Sequence, residues 1–192
     1  VNSILDSIVD HPGVTVETIE KLRDFITYKN VKKGEILQRK GDVNNEIYFV
    51  KKGLLRSYVI DAKGREHTIM FAQEGRLFSN IDTSAKKSPS TVYIDALEDT
   101  ELEVFNKDIA LQLPFLPSPI LFYAINRVLL QLSSVQNKII LLMSANVSER
   151  YEYFKEAYPH LIQRVPQKVI ASYLNITPQV LSKLRSQKKK AQ

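Results

Sequence analysis

Two short apolar segments separated by three residues leave few ways to pack, and that is the pattern between Arg164 and Arg185. Pro166 suits the first turn of a helix, because its missing N–H needs no partner there. Val169, Ile170, Ala171 and Leu174 supply one inward face, with Ala171 small enough for a second helix to cross closely. Asn175 falls at the turn, where a left-handed backbone is expected and asparagine tolerates it better than most residues. Ile176 is expected to drop between the helices. Thr177 is expected to cap the second helix and Pro178 to begin it. Leu181 and Leu184 then point inward, and Gln179, Ser182, Lys183 and Arg185 are left outside. The fixed spacing of Ala171, Asn175, Ile176, Leu181 and Leu184 predicts the core of a helix-turn-helix.

Such a module offers its second helix to a DNA major groove. Gln179 and Lys183 lie one turn apart and are the expected base readers, since glutamine can pair with adenine and lysine with guanine; Ser182 assists them. Thr177, Lys168, Arg164 and Arg185 are expected to grip phosphates. Lys188, Lys189 and Lys190 add non-specific, salt-sensitive affinity. Charge supports the assignment. Residues 1–147 carry 18 Lys/Arg and 18 Asp/Glu, whereas residues 148–192 carry nine Lys/Arg and three Asp/Glu. The whole net charge of +6 thus sits on the segment that holds the module, which points to a polyanionic partner.

Upstream the texture changes twice. Residues 2–10 and 15–28 have helical spacing, with Thr15 as a cap. Between residues 30 and 105 come short runs of β type punctuated by glycine: Glu35–Arg39, Glu46–Lys51, Leu54–Ile60, His67–Phe71, Tyr93–Leu97 and Glu101–Asn106. Many short strands with glycine turns predict a barrel or jelly roll. A long helix is then expected from Ile120 to Val147. Its apolar residues Leu121, Ile125, Val128, Leu132, Val135, Ile139 and Leu142 are spaced 4, 3, 4, 3, 4 and 3 apart. That heptad repeat predicts a homodimer joined along a two-stranded seam. Leu129, Leu130, Ile140 and Leu141 widen the stripe enough to pack back on the barrel, while Gln131, Gln136 and Lys138 are expected to face solvent. Ser148 is expected to cap the next helix, with Tyr151, Phe154, Ala157 and Tyr158 packing inside a small helical domain.

The expected class is α+β in three parts: residues 1–113, a jelly roll with N-terminal helices; 114–147, a dimerisation helix; and 148–192, a DNA-binding domain. The chain has no cysteine, which removes thiol catalysis and thiolate metal sites. His11, His67 and His160 form no ligand-spaced set, and no acid–base pair stands out, so no enzyme, metal or cofactor is expected. No secretory signal or membrane span is expected either, which leaves a cytoplasmic protein. A ligand-sensing barrel acting through protein partners, with loose nucleic-acid contact, is the alternative.

Several motifs carry a family resemblance: Gly34-Glu35, Lys40-Gly41-Asp42, Ile47-Tyr48-Phe49-Val50-Lys51-Lys52-Gly53 and Ala96-Leu97-Glu98-Asp99-Thr100-Glu101-Leu102. With the helix-turn-helix they make residues 30–190 resemble the cyclic-AMP receptor protein and fumarate–nitrate regulator (Crp/Fnr) family of bacterial transcription factors. Arg150-Tyr151-x-x-Phe154, Tyr158-Pro159 and Arg164-Val165-Pro166-Gln167 are similar to the branch common in Bacteroidetes. The resemblance implies a cyclic-nucleotide-binding-type jelly roll, a homodimer on double-stranded DNA, and RNA polymerase as a further partner. The family's readers fall on Pro178, Gln179 and Lys183; the arginine common at the first of these is proline here, so the target site is expected to differ from the best-known family palindrome.

The ligand cassette departs further. The family's ribose-binding Gly-Glu pair falls on Ser79-Asn80, and its phosphate-binding arginine on Ser90. A phosphate without its cation loses a strong charge-assisted bond, and Lys86 and Lys87 on the intervening loop are poorly placed to replace it. No tight cyclic-AMP binding is therefore expected. Either a different small-molecule effector is sensed, or the barrel is filled by Tyr48, Phe49, Tyr58, Phe71, Phe78 and Tyr93.

Overall fold

A computed structural model of the chain describes residues 3–79, 88–106 and 118–189, with side chains of the last span described from 120 to 187. The chain divides into two units, Val1–Ser57 with Phe71–Gln131 and Tyr58–Met70 with Leu132–Gln192.

The first unit opens with a 3-10 turn, Leu5–Ser7, and helix α1, Val16–Arg23. Thr15 caps α1, accepting the Thr18 N–H at 3.2 Å. The helix does not reach residue 28 as its spacing suggests, because Ile26–Val31 form strand β1. A ladder running from Ile26 opposite Phe105 to Val31 opposite Thr100 gives those residues backbone partners that override the local helical pattern. The other strands are β2 (Ile36–Gln38), β3 (Glu46–Lys52), β4 (Leu55–Ile60), β5 (Glu66–Ala72), β6 (Leu77–Phe78), β7 (Tyr93–Ala96) and β8 (Thr100–Asn106). They form two four-stranded sheets in the orders β1-β8-β3-β6 and β2-β7-β4-β5. This is the jelly-roll arrangement of an α+β chain. The short β6 was not expected from the sequence.

Tyr48, Phe49, Val50, Leu54, Leu55, Ile94 and Leu102 are buried. Phe71 and Phe78 are buried as expected, and so is Tyr58 at the start of the second unit, whereas Tyr93 is half-buried. Three charged side chains accompany these apolar residues. Arg56 makes a bidentate pair with Asp95, at 2.8 and 2.9 Å. Glu103 accepts from Ser3 Oγ at 3.0 Å and Ile4 N at 2.9 Å, tying the N-terminal segment to β8. Gly53 must be glycine: its φ is +102°, and a Cβ there would lie 2.7 Å from Thr100 Cα.

The long helix α2 spans Ser118–Ser144, shorter at its C-terminal end than the expected Val147. The reason is the next cap. Helix α3 (Val147–Ala157) is capped by Asn146, not Ser148, in a capping box completed by Glu149. Asn146 Oδ1 accepts from Ser148 N at 2.9 Å and Glu149 N at 3.1 Å, so Ser148 already lies inside the first turn. On α2, Leu121, Ile125, Val128, Leu132 and Ile139 are 45–58% exposed, and Val135 and Leu142 are half-buried. Leu129, Leu130 and Ile140, which could have packed back, are exposed as well.

The second unit also holds the β4–β5 turn and three further helices: α4 (Leu161–Arg164), α5 (Gln167–Tyr173) and α6 (Pro178–Lys189). Its core is Tyr151, Phe154, Leu161, Val165, Val169, Ile170, Ala171, Tyr173, Leu174 and Leu181. Phe154 stacks obliquely on Tyr158 and Tyr173, with centroids 5.4 and 5.5 Å away. Ala157, expected inside, is exposed at the end of α3. No helix among the described residues is long and apolar enough to cross a membrane.

Candidate nucleic-acid interface

The backbone between α5 and α6 sets the geometry of the site. Asn175 has φ +53°. Its N–H donates to Ser172 O at 3.3 Å, and the Ile176 N–H donates to Ala171 O at 3.0 Å. These two bonds close a Schellman turn with asparagine in the left-handed position where glycine is commonest. Thr177 Oγ1 then accepts the Val180 N–H at 3.3 Å and caps α6, whose first residue is Pro178. Pro166 sits one place before α5, at its cap, with its carbonyl accepting from Val169 and Ile170.

With the turn set, burial sorts the side chains. Ala171 and Leu181 are fully buried, Ile176 and Leu184 are half-buried, and Asn175 is exposed at the corner. Gln179, Ser182 and Lys183 are exposed together on α6, at positions that share one helical face. Thr177 at the cap and Lys168 on α5 are exposed; Arg164 and Arg185 are half-buried. Lys188 and Lys189 continue α6, but their side chains, like Lys190 altogether, lie outside the described residues. One exposed polar face, flanked by cations and backed by buried leucine, is the arrangement with which a helix meets base edges while its flanks meet phosphates.

Two cations that sequence reasoning left without a role hold the module in place. Arg150 of α3 donates from Nε to Ala145 O at 3.0 Å, from Nη2 to Leu142 O at 3.0 Å and from Nη1 to Leu174 O at 3.3 Å. One guanidinium thus ties the last carbonyls of α2 to the end of α5. Lys138 of α2, expected in solvent, is instead half-buried. Its Nζ donates to Thr68 O at 2.6 Å and Ile69 O at 2.9 Å, and lies 3.9 Å from the centroid of the Tyr173 ring. Burial pushes its ammonium down to about 7, while the two carbonyls and the ring face favour the proton. The heptad pattern could not reveal this, because Lys138 is covered by residues distant in sequence.

The ligand cassette is described only in part. Ser79 is half-buried, and Asn80, Lys86 and Lys87 lie outside the described residues. Ser90 is buried, with Oγ donating to Val92 O at 2.7 Å and accepting from Val92 N at 3.1 Å. Its hydroxyl closes a local turn. Among the described residues no group of His, Asp and Glu is arranged to hold a metal ion.

Residues 28–114 match the family model described as Cyclic nucleotide-binding domain. No curated protein matches the chain. Among solved structures, FixK2 from Bradyrhizobium japonicum is similar with a TM-score of 0.76 at 18% identity, over 86% of this chain and 85% of that one. CLP from Xanthomonas campestris, described as a c-di-GMP-responsive global regulator, gives 0.73 at 15% identity, over 92% and 93%. The CRP/FNR-family transcriptional regulator TTHA1359 from Thermus thermophilus gives 0.62 at 16% identity, over 86% and 87%. At these identities the likeness is one of fold: jelly roll, long helix and helix-turn-helix follow one another here as in those regulators.

Proposed function

We propose that this chain is a sequence-specific DNA-binding transcriptional regulator of Crp/Fnr type that acts as a homodimer in the cytoplasm. The observation that carries the reading is the exposed face of Gln179, Ser182 and Lys183 on a helix whose opposite side is anchored by buried Leu181. Gln179 and Lys183 read bases, Ser182 assists, and Arg164, Lys168, Thr177, Arg185 and Lys188–Lys190 hold the phosphate backbone. The domain organisation that goes with it is 1–113 for the sensor-like jelly roll, 114–147 for the dimerisation helix and 148–192 for the reader. The Arg150-Tyr151-x-x-Phe154 motif supports a place in the branch common in Bacteroidetes, and the family likeness makes RNA polymerase a further partner.

Homodimerisation is supported by the exposed heptad face of α2, because five large apolar side chains in one row are costly to leave in water. Independence from cyclic AMP is supported by Ser90, a neutral residue turned into a local hydrogen-bonded loop where a phosphate would need a cation. Calorimetry with cyclic AMP tests this: no heat at micromolar nucleotide is expected, and micromolar binding contradicts it.

The principal experiment is selection of sites from random duplex DNA. A two-fold site is expected, with half-sites about one helical turn apart. Gln179→Ala and Lys183→Ala should each cost about 1–3 kcal/mol of discrimination at one base position. Equal weakening on every sequence would instead support the barrel module with a non-specific basic tail.

A further inference from the structure

The second unit contains a cavity of about 270 Å³, lined from β5, α2 and α5. Its walls are mostly apolar: Ile69, Val135, Ile139, Leu142 and the ring of Tyr173. Among the described residues, Lys138 is the one lysine or arginine in the lining, and no acidic side chain lies there. A space of this size is at the small end of ligand cavities, where a few polar groups in an apolar wall orient the bound molecule.

Lys138 differs from the other buried cations of the chain. Arg56 is neutralised by the Asp95 carboxylate, at 2.8 and 2.9 Å. Arg150 bonds to carbonyls, but those of Leu142, Ala145 and Leu174 close the C-terminal ends of α2 and α5, where the helix dipole is negative. The acceptors of Lys138, Thr68 O at 2.6 Å and Ile69 O at 2.9 Å, are strand carbonyls, and strands carry only a small net dipole. Its charge is therefore solvated by neutral groups without being neutralised. Burial accordingly holds the ammonium down to about 7, and an anion in the cavity would favour the charged form instead. An ammonium has three N–H donors. Two serve the carbonyls, and the third is left to the face of Tyr173, whose centroid lies 3.9 Å from Nζ. A carboxylate oxygen is a stronger acceptor than a ring face and can take that third donor.

We propose that this cavity binds a short-chain aliphatic monocarboxylate, with its carboxylate on Lys138 Nζ and its chain against Ile69, Val135, Ile139 and Leu142. One cation matches one negative charge, and branched aliphatic walls suit hydrocarbon rather than phosphate or sugar. The site shares no residue with the Ser79, Asn80 and Ser90 cassette or with α6, so it stands apart from the DNA-binding reading above. Val135, Ile139 and Leu142 also belong to the heptad row. A side chain from a second copy is thus the rival occupant, and it would leave no room for a ligand.

Titration calorimetry of the full chain without DNA tests the site. The probes are propionate, butyrate and pentanoate, with pentanamide as the neutral control. One carboxylate per chain is expected, with affinity rising about fourfold for each added methylene. Pentanoate should reach a dissociation constant of about 1 mM or below. Pentanamide should bind about tenfold more weakly, because it lacks the charge. Lys138→Met should erase that preference for acid over amide. In the intact chain, the labelled methyl resonances of Ile69 and Ile139 should shift on addition of pentanoate, which locates the site even if Lys138→Met does not fold. No binding at about 10 mM pentanoate, equal affinity for acid and amide, shifts confined to other isoleucines, or an acid preference that survives Lys138→Met each overturns the proposal.

Discussion

The reader module and the long helix have equally regular apolar spacing, and they end in opposite states. In the reader, Phe154, Leu161, Leu174 and Leu181 are fully buried by residues of the same unit. On α2, Leu121, Ile125, Val128, Leu132 and Ile139 remain 45–58% exposed. Periodicity identifies which face of a helix is apolar; it does not say which chain covers that face. Where short helices follow one another through tight turns, as α3 to α6 do, the cover is local. A 27-residue helix has too long an apolar face for such neighbours to cover.

The contrast is sharpest in truncation. Phe154→Ala should cost about 3–5 kcal/mol, since it removes a fully buried ring that supports Tyr158 and Tyr173. Denaturant unfolding followed at the reader's tyrosines measures it, and the loss should not vary with protein concentration. The seam behaves differently. The thermal midpoint of the intact chain should rise with protein concentration, because a second copy binds only the folded state, and Leu132→Ala should weaken that dependence. A midpoint independent of concentration would break the contrast between the two regions.

Lys138 gives a smaller effect, because it is a single half-buried side chain on α2. Its folded value of about 7 lies below the unfolded value of about 10.4. The unfolded chain therefore holds the proton more strongly across that window, and stability should rise with pH from about 7 to about 10. The other titratable side chains lining the cavity around it are His67 of β5 and Tyr173 of α5. The slope should stay below about 1.4 kcal/mol per pH unit, because the two carbonyls and the ring offset part of the desolvation. Lys138→Met should flatten it in urea titrations at successive pH values. Smallest is Thr177→Ala, which removes the cap of α6 and should cost about 1 kcal/mol; a loss well below that would mean that the turn at Asn175 holds α6 alone.

The parts of the molecule legible in its sequence are those whose signals are local. Glycine turns and alternation located six strands, and the expected turn at Asn175, cap at Thr177 and inward Leu181 located the helix-turn-helix. β1 was missed because four of its six residues are exposed on both faces, so no alternation marks it. β6 is two residues long and carries no pattern. The roles of Arg150 and Lys138 were hidden for a different reason. Their acceptors are backbone carbonyls of Leu142, Ala145, Leu174, Thr68 and Ile69, and a carbonyl leaves no trace in residue type. Long polar side chains near helix ends are legible only as charge until the chain has brought such carbonyls to them.

The central claim is that two copies of this chain join along α2 to present two α6 faces to one duplex. Sedimentation of the protein with its selected two-fold site, for the intact chain and for Leu132→Lys, tests it most directly. Two chains per duplex are expected for the intact protein, and dispersal to single chains with weakened binding for Leu132→Lys. One chain per duplex, or an unchanged complex after the substitution, would contradict it.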